Sequence, residues 1–160
     1  MNRYHTESIT GGSADKPVFA PTDKHDDPMG WEIDRRDSPD HVRVVLGGAF
    51  SLARIADLIA DIVGQPFWRR GFAVLIDDRD LDTDDIRASD IEAVSNVMRY
   101  LNHEFGHSYM AILTGSEVQY GFARQFQIRS ESNSSAVIRA FRIETEALDW
   151  LATALPMPNQ

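Results

Sequence analysis

Apolar residues recur with two kinds of spacing along the chain, and the two kinds alternate from about residue 31 onward. Short apolar or alternating runs predict strands at 31–33, 41–46, 72–76, 109–113 and 136–141. Apolar residues three and four positions apart predict helices over 52–63, 89–105, 118–126 and 144–151. Two strands thus come first, and helices then alternate with single strands. This order predicts an α/β fold: a single domain with a mixed, mostly parallel sheet of about five strands flanked by helices.

The two ends of the chain lack this periodicity. Residues 1–30 contain Gly11, Gly12 and three prolines among scattered charges, which is typical of a flexible N-terminal tail. We therefore expect the domain to span 31–155, followed by a C-terminal tail at 156–160. Within the domain, Ser51 is the expected N-cap of the first helix, and an acidic loop is expected from Asp77 to Asp85.

Composition narrows the functional classes. The chain has 160 residues, of which 42% are hydrophobic, so one domain with a substantial core is expected. It has no cysteine, which excludes disulfides and thiolate chemistry. Its net charge of -9 makes nucleic acid and anionic membrane surfaces poor partners. Its apolar runs are too short for membrane insertion and no secretory signal is evident, so a cytoplasmic location is expected. No motif calls for a cofactor.

One sequence motif indicates a specific reaction. Residues His103-Glu104-Phe105-Gly106-His107 match the His-Glu-x-x-His pattern of zinc hydrolases. On one continuous helix, both imidazoles bind a zinc ion, and the glutamate acts as general base on the zinc-bound water. Three residues, His103, Glu104 and His107, would carry this chemistry. A zinc-dependent hydrolase is accordingly an alternative function.

The surroundings of this string weaken the zinc hypothesis. Gly106 follows the apolar stripe of the helix and precedes a predicted strand, where a glycine usually ends a helix. His103 lies roughly 140° around the helix from the buried stripe, so it is predicted to face solvent. No third ligand follows at a known spacing. We therefore predict that the helix ends at or near Gly106, and that the two imidazoles point in different directions.

Other candidate binding residues follow the predicted strands. Asp77 and Asp78 come directly after the central strand, at the edge where α/β folds usually bind ligands. Thr114, Gly115 and Ser116 join the next strand to a helix, where backbone N–H groups can bind an anion, although Ser116 could simply cap the helix. Further along, Arg124 could contribute to an anion pocket with other arginines. The sequence leaves these alternatives open.

Three segments carry a family resemblance: FAVLIDDR at 72–79, YGFAR at 120–124 and EALDWL at 146–151. With the order of elements, they make residues 31–151 resemble the SpoIIAA-like (STAS-like) family of small bacterial proteins. The resemblance implies a mixed sheet with helices, and a binding or regulatory role instead of catalysis. STAS domains are protein-interaction modules, some of them switched by phosphorylation, and related folds accommodate lipids or other apolar ligands.

The chain departs from one motif of that wider group. Anti-anti-sigma factors carry an Asp-Ser-Ser/Thr-Gly phosphorylation motif after the central strand, where this chain has Asp84-Asp85-Ile86-Arg87. No hydroxyl stands at the acceptor position, so that form of phosphoswitching is not expected. Asp84 and Asp85 are instead regulatory candidates, with Asp85 supplying a permanent negative charge.

These observations favour a non-enzymatic regulatory or ligand-binding domain. Its expected partner is another protein or a small apolar or anionic ligand. The alternatives are the zinc hydrolase and an interaction scaffold that acts as a homodimer.

Overall fold

The computed structural model describes residues 27–132 and 134–154. Most of the predicted N-terminal tail, all of the predicted C-terminal tail and residue 155 lie outside these ranges. Five strands form one sheet in the order β1-β2-β3-β4-β5. Their bounds are Gly30–Asp37, Asp40–Ala49, Val74–Asp82, Tyr109–Leu113 and Val137–Phe141. Strand β1 is antiparallel to β2, and β2 to β5 are parallel, which confirms the predicted mixed, mostly parallel sheet.

Five α-helices flank the sheet. They are α1 (Ile55–Val63), α2 (Ala88–Tyr100), α3 (Asn102–Phe105), α4 (Glu117–Ser130) and α5 (Glu144–Ala154). Each parallel connection crosses through helical structure, as parallel strand pairs require. Within the described ranges, no helix is both long and apolar enough to cross a bilayer.

The two faces of the sheet carry cores of unequal size. Side chains alternate along β3, so Val74 and Ile76 pack on one face while Ala73 and Leu75 pack on the other. The larger core contains the apolar stripes of α1, α2 and α4, whereas the smaller one is closed by α5, chiefly through Leu151. Continuous apolar runs in β3 and β4 are therefore explained by burial on both faces.

The predicted acidic loop is largely wrong, because β3 continues through it to Asp82. Beyond Asp77, where its pairing with β4 ends, β3 stays paired with the last residues of β2, from Gly47 to Ala49. Leu81 is buried within this extension and anchors it to the core. The carboxylates of this segment therefore belong to a strand. Because side chains alternate along a strand, the position of each carboxylate determines the face of the sheet on which it lies.

One other local prediction also needs correction, and the structure adds contacts made by residues that precede β1. The Ser51 side chain makes no capping hydrogen bond, and a 3-10 turn, Leu52–Arg54, lies between Ser51 and α1. Residues just before 31 pack on the sheet: Met29 is fully buried, and Ala49 N donates to the carbonyl of Asp27 over 2.9 Å. Gly48 permits this approach, because its φ is +76° and a Cβ there would lie 2.2 Å from the carbonyl oxygen of Pro28.

Candidate functional site

Asp77 and Asp78 lie next to each other on β3 but belong to different faces of the sheet. Asp77 lies on the same face of the sheet as Ala73 and Leu75, the face covered by α5. Asp78 lines a cavity on the other face, which is covered by α1, α2 and α4. The sequence placed both at one ligand-binding edge. The structure separates them into two environments with different chemistry.

Asp77 is engaged by two arginines. The Arg79 side chain donates to both carboxylate oxygens, over 2.9 and 2.8 Å, and Arg43 donates to Oδ2 over 3.0 Å. Arg43 also donates to Glu144 at the start of α5 over 2.6 Å. These four residues form a charge-balanced cluster that ties β2, β3 and α5 together.

The cluster determines the ionisation of Asp77. Burial alone would raise the pKa of this carboxyl, but hydrogen bonds from the Arg79 side chain and backbone, with the charges of Arg79 and Arg43, hold the pKa below its ordinary value. Both oxygens of Asp77 are already engaged by protein groups. The geometry therefore gives Asp77 an internal structural role, and its ligand-binding role stays a prediction.

The cavity on the opposite face has a volume of about 140 Å³. It lies between the sheet and helices α1, α2 and α4. Its wall is almost entirely aliphatic and aromatic, with representative contributions from Leu58, Ile59, Ile112, Phe122, Ala123 and Phe126. The polar residues that line it are Asp78, Thr83 and Gln119. Such a surface favours the apolar part of a small molecule and repels an anion.

Asp78 is the ionisable group of this wall. Its Oδ1 atom is shielded from solvent and has no hydrogen-bond partner among residues 27–132 and 134–154. Burial raises the pKa of Asp78 to about 7, and the neighbouring charge of Asp77 adds to the rise. A buried carboxyl without a donor is costly in its charged form. The Asp78 side chain is therefore poised to gain a partner that enters the cavity.

Thr114, Gly115 and Ser116 are placed as predicted, between β4 and α4, but their polar groups are used within the protein. Thr114 donates through its hydroxyl and its amide to the carbonyl of Phe141, over 3.0 and 2.9 Å. Ser116 caps α4 by accepting from the amide of Gln119 over 3.1 Å. These contacts fit the capping interpretation of Ser116 better than an anion site.

Gln119 completes this arrangement, and its role was not predicted from the sequence. Its Oε1 accepts from the Gly115 amide over 2.7 Å, the position where an anion would have to bind. Its Nε2 donates to the carbonyls of Asp78 and Leu81, both over 2.9 Å. Gln119 therefore joins the start of α4 to the extension of β3.

Arg124 lies apart from the other candidates. It lines a polar groove between α4 and the amino end of β5, together with Arg139 and Trp150. Thr114 follows the opposite, carboxyl end of the parallel strand β4. The structure therefore does not bring Arg124 together with Thr114 and Gly115 in one site.

The regulatory candidates, Asp84 and Asp85, are exposed in the turn between β3 and α2. The amide of Asp84 donates to Asp82 over 3.0 Å, and Ile86 N donates to the carbonyl of Thr83 over 3.1 Å. Helix α2 begins only at Ala88, so both carboxylates precede it. Their regulatory role stays a prediction.

The His-Glu-x-x-His string does not lie on one continuous helix. Helix α2 ends at Tyr100, the single turn α3 ends at Phe105, and Gly106 follows with φ +63° and ψ -150°. The predicted end near Gly106 is confirmed. His103 is exposed, and its Nε2 lies 2.8 Å from Oε1 of Glu104. His107 is also exposed and follows the glycine. In residues 27–132 and 134–154, no group of three or more His, Cys, Asp or Glu side chains could hold a metal ion.

The fold has a counterpart among solved structures. An uncharacterised protein from Shewanella loihica PV-4, described as a DUF3478-family protein with a SpoIIAA-like fold, matches with a TM-score of 0.50 at 17% sequence identity. The match covers 77% of this chain and 93% of that chain. No protein-family model and no curated protein matches the sequence. The chain therefore has a SpoIIAA-like fold, as the resemblance predicted.

Proposed function

We propose that this domain is a non-enzymatic binding protein that holds a small apolar molecule in the cavity between the sheet and helices α1, α2 and α4. The SpoIIAA-like fold fits a regulatory or binding role. The observation that carries the proposal is the apolar cavity of about 140 Å³ with one solvent-shielded carboxylate oxygen, Oδ1 of Asp78, in its wall. Binding there would stabilise the packing of the three helices against the sheet, and a small molecule would regulate the domain through this stabilisation.

The size of the cavity sets the class of ligand. An engineered apolar cavity of about 150 Å³ in another protein stays dry and binds benzene or xenon. A single aromatic ring or a short branched alkyl group is therefore the appropriate probe. Removing such a group from water would contribute roughly 25 cal/mol for each Å² of apolar surface buried.

The anionic alternative has less support. The Gly115 amide, which would receive an anion at the start of α4, already donates to Gln119. The cavity wall contains an acidic residue, and its described lining includes no arginine, lysine or histidine. An apolar ligand meets neither obstacle.

Toluene titration followed by NMR of isoleucine methyl groups tests the proposal. Ile59, Ile76 and Ile112 line the cavity, so their δ1-methyl signals should shift saturably with toluene. Ile143 is exposed outside the cavity and serves as an internal control. Uniformly small shifts, with no difference between lining and control isoleucines, would overturn the proposal.

A cavity-filling substitution makes this test specific. Ala123 is buried on α4 and lines the cavity, so Ala123→Leu should weaken toluene binding at least about tenfold by occupying the same space. Ala152→Leu adds the same atoms at an exposed position on α5 and should leave binding unchanged. Ala123→Val provides a smaller step if leucine overfills the site. Wild-type toluene affinity in a folded Ala123→Leu protein would contradict the proposed site.

A further inference from the structure

The cavity wall contains a carboxylate oxygen that lacks a hydrogen-bond donor among the described residues, and the apolar side chains around it cannot supply one. Oδ1 of Asp78 lies inside the protein and receives no hydrogen bond from the residues that the structure describes, although most buried polar atoms in proteins have a partner. The nearby amide of Gln119 cannot serve, because its Nε2 donates to the carbonyls of Asp78 and Leu81. A ligand in the cavity is therefore well placed to supply a donor for Oδ1 of Asp78.

A positively charged donor fits this position best. The adjacent cation on the strand, Arg79, is on the other face of the sheet, where it holds Asp77 in a bidentate pair. Among the described lining residues contributed by α1, α2, α4 and the strands, Asp78 is the one with an ionisable side chain. The net charge of -9 adds a long-range attraction for cations. An incoming ammonium group would thus meet a carboxylate without a competing cation.

We propose that the cavity selects a small amphiphilic amine, whose ammonium group pairs with Asp78 while its apolar body fills the space between the sheet and helices α1, α2 and α4. This inference rests on the proposed function and adds the class of ligand. Pairing in such a partly dry site is worth more than a surface ion pair, because solvent screens it less. A neutral ligand that accepts a hydrogen bond from a protonated Asp78 is the competing occupant.

Three ligands of nearly equal size separate these possibilities: benzylammonium, benzyl alcohol and toluene. At pH 8, benzylammonium should bind at least about tenfold more tightly than benzyl alcohol, since only the ammonium forms a charge-assisted hydrogen bond. Asp78→Asn should weaken benzylammonium about thirtyfold, the loss typical of removing one member of a buried charge pair, and leave toluene within about twofold. Asp85→Asn removes an exposed charge from the neighbouring turn and should change neither affinity by more than about twofold.

The pH dependence supplies an independent readout. Because the pKa of Asp78 is raised to about 7, lowering the pH from 8 to 5.5 should protonate it and weaken benzylammonium at least about tenfold. Toluene should bind equally at both values. The Asp78→Asn protein should lose this pH dependence, whereas Asp85→Asn should keep it.

Failure of this inference is distinguishable from failure of the proposed function. If toluene shifts the lining methyls but benzylammonium binds no more tightly than benzyl alcohol, the amine preference is overturned and the apolar site stands. The same holds if Asp78→Asn and Asp85→Asn weaken benzylammonium equally. If neither toluene nor benzylammonium shifts those methyls, both proposals are overturned together.

Discussion

At the scale of single residues, the contrast between Asp77 and Asp78 determines the chemistry of the sheet edge. Sequence position alone made them equivalent, because two carboxylates following an apolar run predict a loop. Once β3 is known to continue to Asp82, strand alternation assigns them to opposite faces. Arg43 and Arg79 neutralise Asp77, whereas no group in the described part of the chain donates to Oδ1 of Asp78. The sequence could identify the pair, but only the pairing of β3 with β2 could separate their roles.

This contrast predicts how stability depends on pH. The pKa of Asp78 is raised to about 7 in the folded protein, so the folded state holds the Asp78 proton more tightly than the unfolded state does. Stability should therefore fall as the pH rises from about 4 to about 7, by up to about 1.4 kcal/mol per pH unit. Urea unfolding of the wild type and Asp78→Asn at pH 5 and pH 8 measures the effect.

The expected result is that Asp78→Asn gains stability relative to the wild type at pH 8 and much less at pH 5. Asp80→Asn, an exposed position on the same strand, is the matched control and should show no such difference. Equal effects of Asp78→Asn at both pH values would contradict the assignment of a buried, unpaired carboxyl.

At the scale of elements, the segment from α2 to β4 shows how context changes the meaning of a motif. Periodicity predicted one helix through Phe105, and the buried stripe of Ile91, Met98 and Phe105 is indeed present. The chain nevertheless interrupts the helix after Tyr100 and restarts it at Asn102. Amphipathic spacing can hide such a break, because a short turn keeps the apolar side chains on the same side. The glycine stop after Phe105 was readable from the sequence.

Gly106 gives a test at this scale. Its φ of +63° and ψ of -150° belong to a region used almost only by glycine, so Gly106→Ala should destabilise the fold by about 1–3 kcal/mol through backbone strain. There is room for the methyl group itself, since its nearest neighbour would be 3.5 Å away. Thermal or urea unfolding measures the change.

Gly121 is the matched control within α4. A Cβ at Gly121 would meet nothing within 4 Å, and alanine is the better helix former, so Gly121→Ala should stabilise the protein by about 0.5–1 kcal/mol. Opposite signs for the two glycine-to-alanine changes are expected. A neutral Gly106→Ala substitution would argue that α3 continues through the motif, and would reopen the zinc hypothesis for His103 and His107.

At the scale of the whole molecule, the order of elements and the mixed sheet followed from hydrophobic periodicity, while the cavity did not. A cavity is the small volume left when side chains from distant segments fail to fill the space between them. Several cavity-lining residues have the sequence pattern of ordinary core residues, among them Leu46, Ile59, Met110 and Phe126. None of them indicates by itself that a cavity lies between them. The cavity therefore could not be predicted before the packing of α1, α2 and α4 on the sheet was known.

Xenon binding in a crystal tests the existence of this apolar site most directly. A crystal pressurised with xenon should show an anomalous peak in the cavity, bounded by Ile59, Ile112 and Phe126, and the peak should be absent or much weaker in Ala123→Leu. Ala152→Leu should keep it. A cavity without xenon in the wild type, under conditions where xenon occupies a reference protein in parallel, would contradict the account.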